Sequence, residues 1–150
     1  MAIKQISPDE AKALLDSDEG YIYLDVRSEM EFQQGHPENA YNIPIQNFDM
    51  AVQMHTNNPE FLQVVENNFS KDAKLLVGCA SGPRSQSACE SMQQKDYENL
   101  ANVDGGFSGK RDISGNVIKA GWSDLEFPVS SGDGGERSYP SLRNKAKSAD

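Results

Sequence analysis

The feature that most constrains the fold is the alternation of short apolar segments with helical stretches. Residues 21–26, 74–78 and 100–103 are nearly all apolar or aromatic, as is typical of parallel strands buried on both faces. The stretches between them carry helix signals. Because parallel strands require crossover connections, this order predicts an α/β domain whose central parallel sheet is covered by helices.

Two capping boxes mark predicted helix starts. Ser7 is followed by Pro8 and Glu10, and Ser28 is followed by Glu31, so each serine has an acidic side chain three residues later. Gly35 is predicted to close the second helix. Further helices are predicted from residue 58 onward and over residues 84–95, and a brief strand is predicted over residues 40–44.

The length of 150 residues indicates one domain, which we assign to residues 1–129. From about residue 130 the composition shifts to Ser, Gly, Asp, Lys and Arg, so residues 130–150 are predicted to be a flexible tail. The first residues lack an apolar signal region and no apolar run could span a bilayer, so we expect a cytoplasmic protein.

The net charge restricts the classes of partner that the chain can bind. At −9, the chain is unsuited to binding nucleic acid or anionic membranes, and neither is expected as a partner. The same charge disfavours anionic substrates at long range. Any site for an anion must therefore be built from local groups.

The segment with the clearest chemistry surrounds Cys79, which follows a predicted strand and precedes a helix. Ligands bind at the carboxyl ends of strands in such sheets, where helix N-termini offer free N–H groups. A small-residue loop wrapped around the cysteine would direct several amides at its sulfur, favouring the thiolate, which is the nucleophile. The predicted loop and helix start comprise Ala80, Ser81, Gly82, Pro83, Arg84 and Ser85.

Several residues admit a simpler structural reading. A free cysteine is often only a small buried side chain with no chemical role, and Cys79 could be one. The same interpretation is stronger for Cys89, which would otherwise be a resolving thiol that forms a disulfide. Residues 107–121 resemble a hairpin insertion with a turn at Gly115-Asn116; its Lys110 and Arg111 either reach the substrate or lie in a solvated loop. No cluster has metal-ligand spacing.

These motifs, taken in order, resemble those of rhodanese domains over roughly residues 5 to 129. The matching segments are Leu24-Asp25-Val26-Arg27, Glu31-Phe32, Gly35-His36, Ala40, Asn42-Ile43-Pro44, Cys79-Ala80-Ser81-Gly82-Pro83-Arg84-Ser85 and Asp104-Gly105-Gly106-Phe107. The resemblance implies a three-layer α/β domain with a parallel sheet of about five strands and helices on both faces.

The resemblance also implies a function. Cys79 would carry sulfur as a persulfide in a thiosulfate sulfurtransferase, accepting it from thiosulfate or a similar small-molecule donor. The acceptor would be cyanide or a thiol such as glutathione or thioredoxin. Residues 80–84 would cradle the sulfur, Arg84 would bind the anionic donor, and Ser85 and Arg27 would lie at the substrate site. No metal or organic cofactor is implied.

Two alternatives stay open. Phosphatase and arsenate-reductase relatives of the family have five residues between the cysteine and the arginine, whereas four separate Cys79 from Arg84, a ring better suited to one sulfur atom. The second alternative is a non-catalytic module that senses sulfide or binds a ligand. Inactive members of such families typically lose the cysteine, whereas this chain retains it. The sequence also departs from the family at Pro83, which removes one N–H donor from the cradle.

Overall fold

The computed structural model describes residues 2–148, with side chains described as far as residue 144. The strands are β1 (Lys4–Ile6), β2 (Tyr21–Asp25), β3 (His36–Pro37), β4 (Tyr41–Asn42), β5 (Gln46–Asp49), β6 (Met54–Asn57), β7 (Lys74–Gly78), β8 (Leu100–Val103), β9 (Lys110–Arg111), β10 (Val117–Lys119) and β11 (Val129–Ser130). The helices are α1 (Pro8–Asp16), α2 (Glu29–Gln34), α3 (Phe61–Asn68), α4 (Pro83–Gln93) and α5 (Tyr139–Ser148).

The central sheet has five strands in the order β1-β8-β7-β2-β4, and every neighbouring pair is parallel. This confirms the predicted α/β architecture. Strand β7 lies in the middle of the sheet, between β8 and β2. The residue that follows β7 is therefore placed at the centre of the carboxyl edge, where α/β sheets bind their ligands.

Two hydrophobic cores cover the two faces of the sheet because successive strand residues point to opposite sides. On one face, Leu24 and Val77 pack with α3, α4 and α5. On the other face, Tyr23 and Leu76 pack with α1, α2 and Trp122. The helices thus lie on both faces of the sheet, as the resemblance implied.

The helix starts follow the predicted caps. The Ser7 and Ser28 side chains accept from the backbone N–H three residues later, and the side chains of Glu10 and Glu31 accept from the backbone N–H of the serines. Helix α3 begins at Phe61, later than predicted, and α4 begins at Pro83. Within residues 2–148, no helix is long and apolar enough to cross a membrane.

Two antiparallel hairpins extend from the carboxyl edge of the sheet. Hairpin β5–β6 follows β4, and hairpin β9–β10 follows β8. The second is the insertion predicted over residues 107–121. Its turn is centred on residues 113–114 rather than at Gly115-Asn116, because Asp112 accepts from the N–H groups of Ser114 and Asn116 through its side chain.

The prediction of a flexible tail from residue 130 is corrected by the structure over residues 130–144. Val129–Ser130 pairs with His36–Pro37, and helix α5 follows. Tyr139 and Leu142 are buried against the α3 face, and the Tyr139 hydroxyl lies 3.0 Å from Asn58 Nδ2. Two apolar residues at helical spacing dock this polar helix, together with the ion pair between Arg143 and Glu60. Residues 149–150 of the predicted tail lie outside the described residues.

Candidate active site

Cys79 follows the last residue of β7, at the centre of the carboxyl edge. Its side chain is buried, with 1% exposure. The Gly82 N–H donates to its Sγ at 3.0 Å, and the Ser85 hydroxyl oxygen lies 3.4 Å from the same atom. The sulfur therefore faces a backbone dipole and the first turn of α4, as an anionic sulfur requires.

The loop that carries Cys79 is held from outside by the segment that follows β8. The carbonyls of Cys79, Ala80 and Ser81 accept from the backbone N–H groups of residues 107, 108 and 105, at 2.9, 2.8 and 2.9 Å. In a trans peptide, the carbonyl and the following N–H point in opposite directions. Fixing these carbonyls outward thus turns the amides of residues 80–82 toward the inner side of the loop.

Glycine at position 106 makes this clamp possible. A Cβ there would lie 2.3 Å from the Cys79 carbonyl oxygen and 2.9 Å from backbone atoms of Ala80. Gly106 also has a φ of +53°, a region that other residues rarely adopt. The two backbones can therefore approach only because this residue has no side chain.

The helix that begins after the loop has no side-chain cap. Its N-cap is Gly82, with a φ of 140°, and Pro83 occupies the first helical position. Proline removes an N–H that would otherwise face the site. The first-turn amides of Arg84 and Ser85 lack partners within the helix by geometry, so they are available to an anion.

Arg84 was predicted to bind an anionic donor, and the structure places it in an ion pair. Its Nη1 and Nη2 donate to Oε1 and Oε2 of Glu31 at 2.7 and 3.0 Å. Partial burial alone would raise the pKa of Glu31, but the hydrogen bonds and charge of Arg84, with help from Ser28, lower it to about 2. The carboxylate thus offsets the arginine at neutral pH.

Arg27 forms a second ion pair, with Asp25. Its Nε and Nη2 donate to the carboxylate at 3.0 and 2.8 Å, and Nη2 also donates to the Gly35 carbonyl. The guanidinium carbon lies 4.4 Å from the centroid of the Phe107 ring. Arg27 is only 4% exposed and is held by these contacts, and its predicted contact with substrate stays a prediction.

Ser85 is fully buried and has several acceptors for one proton. Its oxygen lies 2.5 Å from Asn102 Oδ1, 3.0 Å from the Gly82 carbonyl and 3.4 Å from Cys79 Sγ. A hydroxyl donates only one hydrogen bond. The shortest distance indicates that the proton is directed to Asn102, so the Gly82 N–H is the principal donor to the sulfur.

Three elements of the site were not predicted from the sequence. Glu31 was assigned to a capping box and to a segment that resembles the family, but not to the site. Neither Asn102 nor the amides of residues 105, 107 and 108 were assigned to the site. Asn102 had a signal in the sequence, because it is a polar residue within an apolar strand. In the structure it is buried, and its Nδ2 donates to the Gln5 side chain. The ion pair of Glu31 had no local signal, because Arg84 lies 53 residues away.

Two other residues that the sequence offered as candidates, Cys89 and His36, have structural surroundings. Cys89 is fully buried within α4, and His36 is 2.7 Å from the Phe32 carbonyl and stacks on the Phe32 ring. Across residues 2–148, no three His, Cys, Asp or Glu side chains are grouped so as to hold a metal ion.

Comparisons with known proteins agree with this geometry. The chain matches the family described as "Rhodanese-like domain" over residues 7–111. It is 33% identical to thiosulfate sulfurtransferase 18 of Arabidopsis thaliana over 127 residues, covering 85% of this chain and 83% of that protein. It is 35% identical over 125 residues to rhodanese-like domain-containing protein 9, chloroplastic, of the same plant, covering 69% of this chain. It spans only 53% of that relative's length and 52% of the length of the Raphanus sativus senescence-associated protein DIN1.

Solved structures show the same fold. A rhodanese-related protein of Thermoplasma volcanium superposes with a TM-score of 0.58 at 27% identity, covering 85% of this chain and 97% of that one. The crystal structure of Rv0390 from M. tuberculosis gives a TM-score of 0.72 at 24% identity, covering 88% of this chain and all of that one. With the match over residues 7–111, these findings establish that the chain belongs to the rhodanese-like domain family.

Proposed function

We propose that this protein is a thiosulfate sulfurtransferase that carries a sulfane sulfur on Cys79. The observation on which the proposal rests is the Gly82 N–H that donates to Cys79 Sγ at 3.0 Å, at the start of a helix. This donor and the positive end of the α4 dipole stabilise negative charge on sulfur. The names of the sulfurtransferase relatives are consistent with the proposal.

The proposed reaction has two displacement steps. The Cys79 thiolate attacks the outer sulfur of thiosulfate, an S–S bond to Cys79 forms, and sulfite leaves with the electron pair of the broken bond. A nucleophile such as cyanide then attacks the outer sulfur of the persulfide, thiocyanate departs, and the thiolate is restored. Both attacking groups are anions, so the proposal needs no general base.

The amides around the Cys79 loop support a specific role in the proposed cycle. In the persulfide, the negative charge moves to the outer sulfur, about 2 Å beyond Sγ. The amides of residues 80–82 are turned to the inner side of the loop, and those of Arg84 and Ser85 open the helix. These dipoles are fixed before the reaction, so no rearrangement is needed to stabilise the new anion.

The expected partners of the site are a small anionic sulfur donor and a thiol acceptor. We propose glutathione or thioredoxin as acceptors, because a thiolate can attack the outer sulfur as cyanide does. The expected cytoplasmic location stays a prediction, and the relative quoted above is named as chloroplastic.

The decisive experiment is mass spectrometry of the intact protein after treatment with thiosulfate. We expect the wild type to gain one sulfur atom and to lose it again when cyanide is added. Cys79→Ser should gain none, whereas the matched control Cys89→Ala should behave like the wild type. A wild type that gains no sulfur would indicate a binding module. Hydrolysis of an aryl phosphate would instead favour the phosphatase alternative.

A further inference from the structure

The charged groups around the Cys79 loop fall into three clusters with different balances. Arg84 is offset by Glu31, and Arg27 is offset by Asp25. The third cluster has two cations and one anion: Lys110 Nζ lies 2.8 Å from Asp104 Oδ1, and Lys119 donates to Oδ2 of the same carboxylate. Of the three clusters, this one has more cations than anions among its own members.

The third cluster borders the Cys79 loop. Asp104 Oδ1 lies 3.5 Å from the position that a Cβ on Gly82 would occupy, and Gly82 is the residue whose N–H contacts the sulfur. The Lys119 side chain passes over Gly105, with Cγ 3.4 Å from the position of a Cβ there. The N–H of Gly105 in turn donates to the Ser81 carbonyl. Both contacts place the cluster at the rim of the loop.

The hairpin holds the two lysines together at an energetic cost. Lys110 and Lys119 are opposite each other in the β9–β10 register, and like charges in directly opposed positions repel. Partial burial would raise the pKa of Asp104, but the two lysines outweigh this effect and lower it, so its carboxylate is ionised between them. The neighbouring Arg111 pairs instead with Asp124.

The lysines retain the capacity to attract a further anion. Their side chains are 41% and 44% exposed, and an ammonium group has three donors, of which Asp104 needs one from each. The chain as a whole carries −9, which repels a dianion at long range. The two lysines exceed the single carboxylate of their cluster by one charge, which opposes that repulsion beside the loop.

We propose that Lys110 and Lys119 form an anion-attracting rim that makes the Cys79 site selective for small dianionic sulfur donors. The inference rests on the proposed function, because it names the substrate class of the same site. The two lysines differ in their surroundings. Lys119 shares a surface groove with the carboxylates of Asp9 and Glu10, which partly offset it, so Lys110 has the larger effect.

The test compares two donors that differ by one charge: thiosulfate, a dianion, and methanethiosulfonate, a monoanion that leaves as methanesulfinate. A unit charge roughly 8 Å away in water changes the affinity for a monoanion about twofold, and the effect on a dianion is squared. At low ionic strength, Lys110→Gln should therefore raise KM about fivefold for thiosulfate and about twofold for methanethiosulfonate. The kcat at saturation should not change.

Two further variants make the test specific. Arg111→Gln removes the same charge from the same hairpin, but Arg111 is paired with its own carboxylate, Asp124, so this variant should raise the KM for thiosulfate less than Lys110→Gln does. Asp104→Asn removes the negative charge from the rim, and it should lower the KM for thiosulfate. All differences should shrink at about 0.5 M salt, where the screening length falls to a few Å.

The outcomes separate this inference from the proposed function. If the wild type forms no persulfide, the proposed function fails. If it forms one but Lys110→Gln leaves the KM for thiosulfate unchanged, or Arg111→Gln raises KM equally, the rim is overturned. An equal change in the KM for thiosulfate and for methanethiosulfonate in Lys110→Gln would also overturn the proposed rim, since it would reflect a structural change rather than a change in charge. Thermal unfolding of each variant verifies that the fold is retained.

Discussion

Cys79 and Cys89 are the same residue type, ten positions apart and almost equally buried at 1% and 0% exposure, yet their surroundings differ. Cys79 follows the end of strand β7, with a backbone N–H 3.0 Å from its sulfur. Cys89 lies within α4, where burial, with a smaller contribution from nearby negative charges, raises its pKa to about 12. The two cysteines are thus distinguished by the orientation of nearby dipoles and not by burial, and we expect that difference to decide which thiol reacts.

The largest expected effect is the difference in alkylation between the two thiols. At pH 8, a thiol with a pKa near 12 is ionised in about one molecule in 10⁴, and the thiolate is the reactive form. We expect iodoacetamide to modify Cys79 long before Cys89, as measured by peptide mass spectrometry over time. Equal rates at the two positions would contradict the comparison.

The next effect concerns the clamp on the Cys79 loop. Gly106→Ala places a Cβ against the Cys79 carbonyl, which should displace the loop, cost about 1–3 kcal/mol of stability and lower kcat/KM at least about tenfold. Gly115→Ala is the matched control. It has a similar positive φ of +86°, but nothing lies within 4 Å of its Cβ position, so it should be strained without loss of activity.

A feature of the Cys79 site could be predicted from the sequence when the residues that form it are close together in the chain. Strand β7, the loop and the start of α4 are contiguous, so Cys79 and its surroundings were predicted from local signals. The clamp from Gly106 and the partner of Arg84 are separated in sequence from the loop, and single-residue patterns do not encode such pairings.

The same reasoning applies to the fold. Strands β7 and β8 were predicted with their observed bounds, because their residues are mostly apolar. Helix α5 was missed because its composition is polar, and its stability depends on Tyr139 and Leu142 reaching α3, which is a tertiary contact. Strands β5 and β6 were missed because their exposed faces lack an apolar alternation.

A moderate effect is expected from changing the charge that faces Cys79. Glu31→Gln keeps the capping box but removes the anion that offsets Arg84. The rate of Cys79 alkylation by anionic iodoacetate should rise about two- to fivefold, while the rate with neutral iodoacetamide stays constant. An equal change with both reagents would indicate altered access rather than altered charge.

The Glu31 carboxylate also predicts a pH dependence of stability. Its pKa is lowered from 4.5 to about 2, so its contribution is present above pH 4.5 and is lost as the pH falls toward 2. After allowance for solvent screening, Glu31→Gln should cost about 1 kcal/mol at pH 7 and have little effect near pH 2. Urea denaturation of both proteins across this range measures the difference, and a constant difference would contradict the assignment.

The smallest expected effect on Cys79 is that of Ser85→Ala. Because the hydroxyl donates to Asn102 rather than to the sulfur, the alkylation rate should stay within about twofold of the wild type. The variant should instead lose about 1–3 kcal/mol of stability, since the buried Asn102 oxygen is left without its donor. A large loss of reactivity with unchanged stability would show that Ser85 serves the sulfur directly.

The outward carbonyl bonds of residues 79–81 have a consequence for altering this protein. They join backbone to backbone, so they hold whatever side chains the loop carries. Ala80 and Ser81 are partly exposed at its surface, which leaves their side chains free to vary. If the proposed function holds, these two positions are suited to a combinatorial library that would change which donors are accepted while the backbone of the loop is kept.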